Sequence, residues 1–331
     1  MARIIAGWFF LCLAATPLVA ADLPSWLSGW KVKGDLRVRY EGFDYEQDGK
    51  DDRHRGRFRL RLGADKKISE KLAVHLRLAS GSGDPTSTNQ TFDNSFSGKD
   101  IVIDRAFFTY NTGDWAWGAG KFANPFHSTD MVWDTDVNQE GAYGSYSKDA
   151  FYVNFGGMVV EEESSATDIN LAAIQAGFKS GGFNGSASYY TYEGGIQLDG
   201  EAEAFSFVDV LGVYKFETSF PVKLSLDFAQ NTTSGIDEED TAFAVYAQFG
   251  NGKKPGEWAF RAKYAEIEAF SVYAPFADSD FGFTDKEGIV LDARYQSNKY
   301  MNWRLAFFSI DSIVAVDKGY NRVQLDCGIK F

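Results

Sequence analysis

Apolar and polar residues alternate with a period of two along most of the chain, and its terminal segment, YNRVQLDCGIKF, carries the pattern most clearly. Counting back from Phe331, the apolar positions are Ile329, Cys327, Leu325 and Val323; between them stand Lys330, Gly328, Asp326, Gln324 and Arg322. A period of two sends one set to each face of a strand. An aromatic end on the apolar face, opposite a charged face, suits a strand lying between lipid and a watery lumen.

The same alternation predicts strands at 31–43, 55–64, 72–80, 101–110, 115–121, 141–146, 151–160, 169–178, 183–192, 207–216, 222–231, 241–249, 257–266, 289–297, 301–310 and 320–331. These are roughly sixteen segments of about ten residues, the length a tilted membrane strand needs. Short turns, such as 111–114 and 181–182, alternate with long polar loops, such as 81–100, 122–140, 193–206 and 267–288. That rhythm predicts an all-β fold: a single up-and-down antiparallel transmembrane β-barrel with short periplasmic turns and long extracellular loops. An even count lets the first strand pair with the last and leaves no open edge. Segments 115–121 and 141–146 are the shortest, and without them the barrel would have about fourteen strands, also an even number.

The amino terminus sets the compartment. Arg3 precedes an apolar run, Ile4 to Ala15, and small residues follow before Asp22. This reads as a secretory signal peptide over 1–21, since the run is shorter than the ~20 residues of a spanning helix. Residues 22–29 form a short periplasmic segment, and 30–331 the barrel. Cys12 lies in the apolar run, so the mature chain keeps only Cys327 and forms no internal disulfide. Aromatics at 16% suit interfacial girdles, and 7 Pro against 33 Gly suits long hydrogen-bonded strands. Trp115, Trp117, Tyr189, Tyr190, Tyr192, Trp258, Trp303 and Phe331 read as girdle residues. The net charge of −13 disfavours a nucleic-acid partner.

The stretches KGDLRVRYEGF, RHRGRFRLRLG, LASGSGDPTSTNQTFDNSFSGKDIVIDRAFFTY and GKFANPFHSTDMVWDTDVNQEG span roughly residues 33–141. In them the chain resembles the putative porin family of Gram-negative outer membranes. The resemblance implies a pore-forming outer-membrane barrel without naming its solute. The lead-in of 22–29 is too short for the coiled coil that some members carry before the barrel.

Candidate chemistry centres on an arginine ladder: Arg37 and Arg39, then Arg55, Arg57, Arg59 and Arg61, then Arg77 and, on a strand that alternates poorly, Arg105. Facing lipid near the midplane, each would cost roughly 2–4 kcal/mol, so the ladder points into the lumen. It either lines the permeation path or forms structural ion pairs with Asp35, Glu41 and Asp104. The loop 122–140 carries Asp130, Asp134, Asp136 and Glu140; folded inward, it would oppose the arginines across a constriction and set up a transverse field.

Other motifs carry less. Asp134-Thr135-Asp136 opens like a calcium loop, but Gln139 stands where Gly is needed and the bidentate Glu is missing, so no metal site is expected. His127, Ser128 and Asp130 are catalytic residue types too close in sequence to form a triad, and no Gly-x-Ser-x-Gly elbow occurs. The expected function is a passive, cofactor-free channel for small hydrophilic solutes and ions, and not an enzyme. A solute-specific anion channel, an outer-membrane hydrolase and an adhesin are the alternatives. The expected partners are outer-membrane lipid and lipopolysaccharide, the barrel-assembly machinery reading a C-terminal signal at Phe331, and, by analogy, two further copies in a homotrimer.

Overall fold

Sixteen long strands among the described residues each pair antiparallel with the next, and the last pairs with the first. The structure is a computed structural model that describes residues 28–194, 197–198, 201–202, 204–315 and 318–331. The expected signal peptide and residues 22–27 lie outside the described residues. The strands are β1 (Trp30–Tyr45), β2 (Arg53–Lys67), β3 (Leu72–Ser80), β4 (Ile101–Thr112), β5 (Trp115–Ala123), β6 (Asn138–Lys148), β7 (Phe151–Glu161) and β8 (Ile169–Ser180). Then follow β9 (Phe183–Glu193), β10 (Phe205–Phe216), β11 (Val222–Asn231), β12 (Thr241–Phe249), β13 (Trp258–Ile267), β14 (Lys286–Gln296), β15 (Met301–Ser312) and β16 (Tyr320–Lys330).

The barrel closes where β16 runs beside β1, from Lys330 opposite Asp35 to Tyr320 opposite Tyr45. Phe331 extends this seam: its N–H donates to the Gly34 carbonyl at 3.0 Å, and the Gly34 N–H donates back at 2.8 Å. Glycine gives the Phe331 ring room there, since a Cβ would lie 2.5 Å from it and force the ring to shift. Closure leaves no strand edge unpaired, which a membrane-spanning sheet needs. Outward positions are large and apolar, among them Ile174, Val210, Leu226, Leu291, Leu305 and Leu325.

Two departures from strict alternation have local causes. The β3–β4 register shifts between Arg77 and Leu78, so Arg77 opposes Arg105 and Leu78 opposes Ile103. Asp104 is the extra residue of this bulge, and the local change of phase is why β4 alternates poorly. Strand β6 begins at Asn138, so the preceding loop covers only 124–137 and Glu140 belongs to the strand.

The interior is unevenly filled. Apolar residues of the loop 124–137 (Phe126, Met131, Val132, Trp133 and Val137) pack on Leu171, Tyr190, Tyr192, Phe205 and Phe207 of β8 to β10. Tyr190 and Tyr192 are therefore buried inside rather than at a membrane girdle. Trp115, Trp117, Tyr189, Trp258 and Phe331 point outward.

Candidate functional site

The half of the barrel left unfilled holds a cavity of about 780 Å³. Its wall comes from β1 to β3 and β13 to β16, with residues 86, 87, 89, 130, 134–136 and 278–280 contributed by three loops that enter the barrel. Eleven basic and seven acidic side chains line it, although the whole chain carries −13. The alternation of each strand produces this: inward positions of the lining strands are ionic, and their neighbours face outward.

The wall charges are extensively paired. Arg39 grips Asp326 with two bonds, 2.6 and 2.9 Å, across the closing seam. Glu41, fully buried, accepts from Arg55 at 2.6 Å and Arg322 at 2.7 Å. Asp35 takes Arg59 at 3.0 Å and Arg61 at 2.9 Å, and Arg77 holds Asp104. Some like charges remain adjacent. Arg37 sits directly opposite Arg59, and Arg294 opposite Arg304; all four line the cavity. Arg37 bonds Asn89 at 2.6 Å and meets a carboxylate, Asp326, only at 4.0 Å.

Two acidic loops lie across this wall. In the first, 124–137, Asp130 accepts from Lys263 at 2.9 Å, and Asp136 lies 3.7 Å from Arg59 and 3.6 Å from Arg61. Burial pushes the Asp130 carboxyl up, but Lys263 and Arg261 outweigh it and hold it at about 2. The second loop, 268–285, carries a short 3-10 turn at Ala274–Phe276. Its Asp278 shares Lys263 at 3.1 Å, and its Asp280 meets Arg322 at 2.8 Å and Arg39 at 3.5 Å. The loops join through the Asp134 N–H to the Phe276 carbonyl, 2.6 Å, and the Asp278 N–H to the Asp130 carbonyl, 3.0 Å. The Trp133 ring stacks obliquely on Phe276 at 5.1 Å. Among the described residues no cation pairs with Asp134: burial first, then the adjacent Asp278, push its carboxyl up to about 7.

The residues singled out by sequence fall in distinct places. Arg37, Arg39, Arg59, Arg61 and Arg77 border the cavity, as do Asp130, Asp134 and Asp136. Arg55 and Arg57 turn inward but are engaged by Glu41, with Arg57 also donating to the Asn89 carbonyl at 3.1 Å. Arg105 binds Asn138 at 2.7 Å. Glu140 departs from its expected place: it is 64% exposed and pairs with Lys121 at 2.7 Å, because it sits at an outward position of β6. Phe331 ends the closing seam, with its ring outward. His127 does not meet Ser128 or Asp130; it contacts Ser186 at 3.1 Å and Asn184 at 3.1 Å, while Ser128 accepts from Asn124.

The charged face expected on the terminal strand, with Arg322 and Asp326, is joined by cations of the three strands before it to make the other half of the wall. Arg261, Lys263, Arg294, Arg304, Arg322 and Asp326 occupy inward positions of β13 to β16 by the same alternation that marks the arginines of β1 and β2. Asp278 and Asp280 have a fainter signal: their loop also contains Val272, Tyr273, Phe276 and Phe281, too many apolar residues for a solvated segment.

Comparison with known proteins agrees with the barrel fold. A family model described as "Putative porin" matches residues 44–160 and 170–331. No curated protein sequence matches. Among solved structures, OprB of Pseudomonas putida at high pH superposes with a TM-score of 0.62 at 13% identity, covering 92% of this chain and 94% of that one. A loop L8 deletion mutant of OmpT, an outer membrane protein of Vibrio cholerae, gives 0.57 at 14% identity, covering 92% and 100%. A triple mutant of the Rhodopseudomonas blastica porin gives 0.56 at 12%, covering 91% and 100%. At these identities the likeness is one of fold.

Proposed function

The chain belongs to the putative porin family, and from that premise we propose that it is a narrow, water-filled channel that passes small hydrophilic solutes and favours anions. Family and fold make it an outer-membrane β-barrel of the porin kind. The preference for anions rests on one observation: basic side chains outnumber acidic ones, eleven to seven, around the cavity of a chain that is acidic overall.

The physical argument is focusing. Low-dielectric walls concentrate the field of fixed charges into the water between them and raise the local concentration of counter-ions. Rings and ladders of arginine select anions in this way. Most of the wall arginines have carboxylate partners, which position them: Arg59 has Asp35, and Arg294 and Arg304 share Asp292, while Arg37 meets a carboxylate only at 4.0 Å. The acidic loops narrow the passage opposite the β1–β2 arginines. No cofactor takes part, since passage follows the concentration gradient.

Planar-bilayer recording under a potassium chloride gradient tests this directly. The reversal potential should have the sign of chloride preference and shrink toward zero when Arg37 and Arg304 are both replaced by Gln. A cation-selective channel would refute the reading.

A further inference from the structure

Three loops enter the barrel from its long-loop end and meet at Ser279. The Ser279 N–H and hydroxyl both donate to Asp134 Oδ2 at 3.1 Å, and the hydroxyl also reaches the Thr86 carbonyl at 3.4 Å. Loops 81–100, 124–137 and 268–285 thus share one junction, roofing a cavity whose wall continues to Lys33, Gly63 and Lys330 near the short-turn end.

Among the described residues, no counter-charge pairs with Asp134 at that junction. The groups facing it are Asp278 from the third loop and Asp136 from its own. Asp278 is occupied by Lys263 of β13, and Asp136 lies near Arg59 and Arg61 of β2. Its bonds come from Ser279 and the Asp136 N–H at 2.9 Å, all neutral donors. An ionised Asp134 therefore places a third carboxylate against two others in a buried seam.

We propose that this junction is a proton-operated latch: with Asp134 protonated the three loops stay docked over the cavity, and with Asp134 ionised they release and widen the passage. The proposal rests on the channel reading above, but not on its preference for anions. The sign follows from linkage. The docked carboxyl titrates near 7 against 3.8 when exposed, so docking is strongest below 3.8 and weakens as pH rises toward 7. Between pH 6 and 8 the docked-to-released ratio falls about tenfold from this group. His127, in the same loop, acts in the opposite sense: burial, with Lys179, Lys215 and Lys223, lowers it, so its neutral form favours docking and that contribution fades as pH falls.

The test uses the full mature chain in planar bilayers, with conductance recorded from pH 6 to 8 at constant salt. Wild type should conduct more at pH 8 than at pH 6. Asp134→Asn should remove the rise or invert it, leaving the His127 limb. His127→Asn should steepen the rise, and Ser279→Ala, which changes no charge, should lift conductance at pH 6 toward the wild-type level at pH 8. A rise that survives in Asp134→Asn, or conductance that stays flat in both wild type and His127→Asn, would overturn the latch while leaving the channel intact. A protein that conducts at no pH would overturn both. Cation preference with the expected pH response would overturn only the reading of the previous section.

Discussion

Replacing Lys263 with Met should undock both inward acidic loops. Its side chain is 1% exposed and bonds Asp130 at 2.9 Å and Asp278 at 3.1 Å. Methionine has a similar reach and no charge, so the change removes the shared cation and leaves Asp278 beside an Asp130 that keeps only Arg261 at 3.7 Å. Removing one member of a buried ion pair costs about 3–5 kcal/mol. The two carboxylates keep 19% and 14% of their side-chain surface exposed, so the lower end, about 3 kcal/mol, applies. That is roughly a 150-fold shift from docked to released loops, at about 1.4 kcal/mol per factor of ten. Single-channel conductance should rise and the reversal potential move toward cations, because the lumen loses one positive charge and Asp130 and Asp278 lose the cation they share. Proteinase K should also cut loop 268–285 in the variant and spare it in wild type. Adding Asp130→Asn and Asp278→Asn to Lys263→Met should restore most of the protection. Wild-type conductance and wild-type protection in Lys263→Met would refute the claim that this lysine holds the loops.

Three other outcomes follow from the barrel wall. Arg39→Ala leaves Asp326 and Glu41 short of a partner at the closing seam, and the denaturation midpoint of the barrel in lipid vesicles should fall by the equivalent of about 3–5 kcal/mol. Glu140→Gln should leave the reversal potential unchanged, since its partner is the outward Lys121; a measurable shift would place Glu140 in the passage. Gly34→Val forces a side chain into the space of the Phe331 ring, 2.5 Å from the Cβ position, and should lower the yield of closed, protease-resistant barrel, with Phe331→Ala in the same chain recovering part of it.

The barrel itself was legible because membrane strands leave a simple trace: one face must suit lipid, so every second residue is constrained. Strands β3, β11 and β12 match the ranges expected from that trace residue for residue. Reading failed where the two-residue period breaks or where tertiary packing decides. The bulge at Asp104 changes the phase of β4, which obscured the direction of Arg105. Tyr189, Tyr190 and Tyr192 look alike as letters, yet the period sends Tyr189 outward and the other two inward, against an apolar loop that no strand pattern announces. The cations of β13 to β15 obey the same period, but as single Arg and Lys residues among apolar ones they form no run like that at 55–61. That Asp278 sits beside Asp134 depends on two loops 144 residues apart by the Asp134–Asp278 spacing, and such proximity has no local signature.

The lopsided filling of the interior divides labour around the circumference. The cavity is bordered by seven of the strands, β1 to β3 and β13 to β16, which are contiguous only across the seam where the two ends of the chain meet. The middle of the chain acts as ballast and carries the anchor for the first loop. A graft of a foreign selectivity would thus need to exchange only the opening and closing stretches of the gene product. A circular permutation that moved the termini to the stretch between β3 and β13 would turn those two distant stretches into one uninterrupted cassette.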